Sequence, residues 1–233
     1  MNRLVATLRW DLVNQYRQGF YIAGGFVIVV WAIVLWNLPA PVVELLLPFL
    51  IFFDLSIFGF YFMAGMLFLE KGDGVLQALV VTPMRSWEYL VSKSATLALL
   101  AVLVSVAVVL LVHGFAVNWW LFVPAVALNS WLLVLIGFML AARFDAINEF
   151  LIPSIFYMVP SQLPALQYFG IWESPLLYLV PTMPSMLLLE GAFGAIAGWQ
   201  IVYAFVYLLA ACVLVTWWAQ RTFVRFVVRA GGE

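Results

Sequence analysis

The sequence predicts an all-α integral membrane protein: six transmembrane helices, an N-terminal interfacial amphipathic helix, and outer re-entrant helices between the fifth and sixth crossings. Three observations carry this. Of 233 residues, 67% are hydrophobic and only 9% charged, against about 45–50% and about 25% in soluble globular chains. The apolar residues fall into six runs near the roughly 20 residues that a membrane helix needs. Those runs are continuous and lack the polar/apolar alternation of a membrane barrel.

The same arithmetic excludes several classes. Ten Lys/Arg against eleven Asp/Glu give a net charge of −1, so no basic surplus exists to neutralise the phosphates of a nucleic acid. A single cysteine, Cys212, excludes an internal disulfide and a Cys-based metal site. A single histidine, His113, excludes a multi-His metal site.

Residues 1–19 form a lead. Leu4, Leu8, Leu12 and Tyr16 recur every four residues, with Arg9, Asn14, Arg17 and Gln18 off that stripe. This pattern fits a helix lying flat at the membrane surface. Polar residues scattered through the lead, with no early apolar core, do not read as a signal peptide. Residues 20–233 then form one membrane domain, with crossings at about 20–36, 45–69, 94–112, 120–142, 150–168 and 196–217. Pro153, Pro160 and Pro164 should kink the fifth crossing or end it early. Within the outer segment 172–195, the stretch 176–190 is apolar but short, and Pro175, Pro181 and Pro184 interrupt it. It reads as short helices dipping into the outer leaflet, tolerated where protein buries the broken backbone.

Orientation follows from charge. With six crossings, all ten Lys/Arg (Arg3, Arg9, Arg17, Lys71, Arg85, Lys93, Arg143, Arg221, Arg225 and Arg229) fall on one side, which makes that side and both termini cytosolic. A seventh crossing at 176–190 would put Arg221, Arg225 and Arg229 outside.

The cytosolic connection 70–93 carries most information. Gly72 and Gly74 break the second crossing, Asp73 can cap a short helix near 75–81, and Thr82-Pro83 ends it. A new helix runs through Tyr89 and Lys93 into the third crossing. The short helix is largely apolar, so a partner, the membrane or the bundle must cover it. Six helices, an interfacial lead, and the pattern Glu70-Lys71…Gly74…Leu76…Leu79…Thr82-Pro83…Tyr89-Leu90…Lys93 resemble the membrane subunits of ABC-2-type transporters. The run Pro175-Leu176-Leu177-Tyr178-Leu179-Val180-Pro181 resembles that family's outer re-entrant segment. Among subfamilies the chain is most similar to small bacterial permeases grouped with fluoroquinolone-type drug exporters.

The resemblance implies a half-transporter that pairs with a second membrane subunit, identical or not, and with separate ATP-hydrolysing subunits, in a bacterial plasma membrane. It implies that Glu70, Lys71, Gly74, Val75, Leu76, Leu79, Pro83 and Tyr89 couple to the ATPase. The chain has no Gly-x-x-x-x-Gly-Lys-Ser/Thr phosphate loop, so it needs no cofactor of its own: ATP and Mg belong to the partner. An intramembrane enzyme lacks clustered catalytic groups here. A stand-alone secondary transporter would normally show more buried ionisable groups and a repeat.

For the substrate pathway the candidates are Phe53, Asp54, Phe60 and Tyr61. The resemblance, which places the second and fifth helices beside the pathway, adds Phe156 and Tyr157. Asp54 sits near mid-bilayer, where a carboxylate costs about 2.5–3.5 kcal/mol. Two readings stay open: a cavity group for a cationic or hydrogen-bonding substrate, or a structural contact with Ser56, Asn129 or Ser130. The aromatics read either as a cavity wall for flat apolar molecules or as ordinary packing. Arg221, Arg225 and Arg229 form a basic stripe that suits anionic lipid. Trp119, Trp120, Trp172, Trp199, Trp217 and Trp218 fit an aromatic belt. Arg143, Asp145 and Glu149 suggest local ion pairing.

Overall fold

A computed structural model describes residues 3–75 and 85–225, the Leu55 side chain excepted. It is all-helical in these residues. In chain order the helices are α1 (Arg3–Arg17), α2 (Phe20–Trp36), α3 (Ala40–Gly72), α4 (Ser86–Val112), α5 (Trp119–Ala141), α6 (Ile147–Ser161), α7 (Pro164–Tyr168), α8 (Met183–Phe193) and α9 (Gly198–Phe223), with a 3-10 turn at Pro175–Leu179. Among the described residues, α3, α4, α5 and α9 are each long and apolar enough to cross a membrane. The bent pair of α1 and α2 also passes when taken together.

Local sequence explains the boundaries. Gly19 takes φ +82°, a conformation that glycine enters without penalty, and α1 and α2 meet there at a 60° bend. Pro41 sits in the first turn of α3, where the absent N–H is not missed. Asn118 caps α5 by accepting from the Trp120 N–H at 3.2 Å. Glu88 accepts from the Arg85 N–H at 2.9 Å and so closes the first turn of α4.

In two places the helices differ in extent from the apolar runs of the sequence. α3 and α4 extend beyond their apolar cores, to Gly72 and back to Ser86, because their polar ends are held by side-chain contacts described below. The expected fifth crossing, 150–168, is not one helix. Its proline-rich sequence ends α6 at Ser161, and α7 restarts at Pro164.

α5 is the central helix: 67% of its apolar window is buried, against 17% for α9. It packs on α3, α4, α8 and α9. The α3–α5 crossing is made close by glycines. A Cβ on Gly137 would lie 2.4 Å from the Phe60 carbonyl oxygen, and one on Gly59 would lie 3.2 Å from that of Ser130. Small residues at helix crossings are how membrane helices approach without a hydrophobic driving force. α8 is covered by its neighbours, with Met186, Leu188 and Leu189 buried. The Ser185 hydroxyl on α8 donates to Asn129 Oδ1 of α5 at 2.9 Å.

The helix ends sort by charge. Lys71, Arg85, Lys93, Arg143 and Arg221 gather at one end, where Lys71 reaches the Phe144 carbonyl and Phe223 packs 5.1 Å from Tyr89. At the other end Trp36 Nε1 donates to the Leu111 carbonyl at 3.1 Å, and the Tyr168 hydroxyl donates to that of Leu45 at 2.9 Å.

Gly137→Ala should lower stability by about 1–3 kcal/mol, the usual range for forced overpacking. Gly65→Ala, whose added Cβ meets nothing within 4 Å, should be neutral or slightly stabilising. Thermal unfolding of the two detergent-solubilised variants checks the contrast.

Candidate functional site

The most concentrated polar chemistry lies at the basic end, at the base of the 70–93 connection. The Lys93 side chain is 1% exposed and sits between two carboxylates. Its Nζ lies 3.0 Å from Asp11 Oδ1 of α1 and in direct contact with Glu70 Oε1 of α3. The second oxygen of each carboxylate is also occupied. The Tyr89 hydroxyl donates to Glu70 Oε2 at 2.6 Å, and the Ser92 hydroxyl donates to Asp11 Oδ2. Lys93 Nζ also stands 4.9 Å from the Tyr89 ring centre, within cation–π range. One turn on, Gln15 Nε2 donates to Thr96 Oγ1 at 2.8 Å and repeats the α1–α4 tie.

This knot joins three elements far apart in sequence. α1 brings Asp11, α3 ends at Glu70, and α4 begins with Tyr89, Ser92 and Lys93. Burying such charges is costly, and only close pairing with every oxygen engaged offsets it. A strut stands beside it. Lys71 Nζ donates to the Phe144 carbonyl, which anchors the α5–α6 connection to the end of α3.

The expected coupling residues thus divide. Glu70 and Tyr89 are buried in the knot, and Lys71 is in the strut. Gly74 turns the chain out of α3 with φ +70°, and Val75 is exposed. Leu76, Leu79 and Pro83, with Asp73's expected short helix at 75–81, lie outside the described residues beyond Val75. Arg229 also lies outside them. Asp11 and Lys93 are the members that sequence reasoning missed as a pair. Their one signal was a carboxylate within the amphipathic lead and a cation at the mouth of a crossing.

The pathway candidates do not line one space. Asp54 accepts a hydrogen bond from Trp31 Nε1 of α2, rather than from Ser56, Asn129 or Ser130. The Ser56 hydroxyl donates instead to the Phe52 carbonyl at 2.9 Å, within its own helix. Asp54 and Trp31 border a cleft of only about 20 Å³ between α2, α3 and α4, room for about one water.

Phe60 is fully buried and stacks on Phe150 of α6 at 5.7 Å, whereas Phe53 is partly exposed. Tyr61 shares a 3.0 Å hydrogen bond with Ser154 of α6. Phe156 is 76% exposed and points away from the helices. Tyr157 and Phe60 meet in a groove of about 390 Å³ with Leu133, Ile136, Met158 and Val180. In this groove an α3 and an α6 candidate face a common space.

Other expectations resolve simply. No ion pair joins Arg143, Asp145 and Glu149; Lys71 instead binds the backbone carbonyls at Ala142 and Phe144. The Arg221 guanidinium lies 3.6 Å from the Trp217 ring centre, a stacked cation–π contact. His113 packs edge-on to Phe193 at 5.4 Å. Cys212 is buried against the Leu128 carbonyl.

Comparison with known proteins gives a consistent answer over the whole chain. Residues 2–231 match the fluoroquinolones export permease protein family. Two proteins of Mycobacterium tuberculosis, from strains CDC 1551 / Oshkosh and ATCC 25618 / H37Rv, both called fluoroquinolones export permease protein, are each 34% identical over 238 residues. The alignments cover 100% of this chain and 99% of each relative.

Lys93→Ala should destabilise the protein by about 3–5 kcal/mol, because it strands two buried carboxylates. Lys93→Met combined with Asp11→Asn and Glu70→Gln should recover most of that loss. Fluorescence-detected size exclusion after a temperature ramp reads both changes.

Proposed function

The chain belongs to the fluoroquinolones export permease protein family, and we propose that it is the membrane-spanning permease subunit of an ATP-driven exporter. It forms part of a translocation pathway for a hydrophobic or drug-like substrate. Fluoroquinolones, named for its relatives, are the first class to try. It sits in a bacterial inner membrane with both termini in the cytosol. Supporting six crossings, α6 leads from the Lys71–Phe144 contact toward the opposite end, where Tyr168 meets Leu45.

The observation that carries the reading is the Lys93 knot. The two ends of the 70–93 connection are pinned to each other and to α1 by Glu70, Lys93 and Asp11. A push on the connection would therefore move α1, α3 and α4 together rather than bend a loose loop. An elbow that transmits ATP-driven motion needs that stiffness. Leu76 and Leu79 then serve as its apolar contact to the ATPase, with Val75 and Pro83 flanking them.

ATP and Mg belong to the partner chain, since no phosphate loop occurs in this sequence. The substrate path is shared with a second membrane subunit. Phe53 and Phe156 present apolar surface outward, and the Tyr157–Phe60 groove opens between α3 and α6. With its carboxylate bonded to Trp31 in a narrow cleft, Asp54 acts as a structural contact.

Affinity purification of the tagged chain from its own host should capture a chain bearing a phosphate loop. Leu76→Asp and Leu79→Asp should release that chain and abolish lowered fluoroquinolone accumulation in cells, while elution volume stays unchanged. Retained capture in both variants would overturn the coupling assignment. Export that persists without any ATPase would favour a stand-alone transporter.

A further inference from the structure

A large cavity lies far from the knot, at the end of the bundle opposite the lysines and arginines. It measures about 920 Å³, opens to the outside, and is lined by α7, the 173–179 segment, α8 and α9. Its volume falls in the range of sites for drug-sized molecules. Four rings form its walls: Tyr168, Tyr178, Trp199 and Tyr203. Two carboxylates, Glu173 and Glu190, complete the lining.

The rings are fixed in place. Tyr178 stacks on Trp199 at 5.9 Å with planes 26° apart, and its centroid lies 5.5 Å from that of Tyr203. Their hydroxyls are already engaged. Tyr203 donates to the Tyr178 carbonyl, Tyr168 donates to the Leu45 carbonyl, and the Tyr178 hydroxyl accepts from Gln200 Nε2 at 3.1 Å. What remains for a ligand is mainly π surface, with the Tyr178 O–H proton, which the Gln200 contact does not use.

The carboxylates, by contrast, are unspent. Neither Glu173 nor Glu190 makes an ion pair or side-chain hydrogen bond with a described residue. No Lys or Arg occurs between Arg143 and Arg221, and both of those lie at the other end. Two uncompensated negative charges beside fixed aromatic faces are complementary to a cation with an apolar body. A bare metal ion suits the site poorly, since no group of three or more His, Cys, Asp or Glu is clustered among the described residues.

We propose that this cavity is a binding site for organic cations: a quaternary or protonated amine carried on an aromatic or aliphatic frame. Glu173 and Glu190 supply the counter-charge, and the Tyr178–Trp199–Tyr203 wall holds the cationic head by cation–π attraction. The inference does not use the coupling reading.

The test is calorimetric titration of the purified full chain, in a neutral maltoside detergent, with benzyltrimethylammonium and its uncharged isostere neopentylbenzene. The cation should bind saturably, and at least about tenfold more tightly than the isostere. The double variant Glu173→Gln/Glu190→Gln should weaken cation binding by about tenfold or more. Trp199→Ala should weaken it as well, while Trp199→Phe should retain most of it. Equal affinity for the two probes, unchanged affinity in the double variant, or no saturable binding would each overturn the proposal. Should the double variant fail to fold, the comparison of the two probes on the unaltered chain decides. No ATPase is present in this assay, so its failure and a failure of ATPase capture are distinguishable.

Discussion

Lipid offers no hydrogen bonds, so a polar group in a membrane chain must find its partner within the protein. The Lys93 ammonium meets this demand at the edge of the apolar region. Asp11 and Glu70 supply the charge, and Ser92 and Tyr89 complete the carboxylates. Because the three charged residues come from α1, α3 and α4, their pairing fixes how these helices meet. Packing further along α3, α4 and α5 inherits that arrangement. Removing one partner is far costlier than never having built the network.

Shape does the rest. Apolar helices gain little by leaving lipid for one another, so their association depends on close contact. Gly137 lets α5 touch the backbone of α3 at Phe60. That contact makes α5 the hub and places Phe60 in the interior. It also leaves α8, a helix of 11 residues, packed against α5, α9 and α3. A segment too short to span comfortably is held by protein instead, with Ser185 and Asn129 bonded across the α5–α8 contact.

Much of this was legible in composition. The apolar run 20–36 matches α2 at both ends, because lipid-facing sequence leaves little choice but a helix. Clustering of Lys/Arg at one end was equally readable. The tertiary pairings were not. Asp11 and Lys93 lie 82 residues apart, and no local pattern encodes their meeting. Trp31 lies within an apolar run, and nothing local marks its indole N–H as the partner of Asp54. Phe53 and Phe60 share a helical face by spacing, but spacing gives an angle about the axis, not what covers that angle at each height. Phe150 of another helix covers Phe60, whereas the ring beside Phe53 is Phe49 of its own helix, which leaves Phe53 partly exposed. The aromatic cavity near α8 was hidden for the same reason, since its walls come from α7, α8, α9 and the turn between them.

The order of the knot's members along the chain has a consequence for biogenesis. Asp11 and Glu70 leave the ribosome before Lys93, so the nascent chain carries two unneutralised acids until α4 is made. Only then can the cation tie α1, α3 and α4 together. Closure of the knot therefore waits on the fourth helix of the chain.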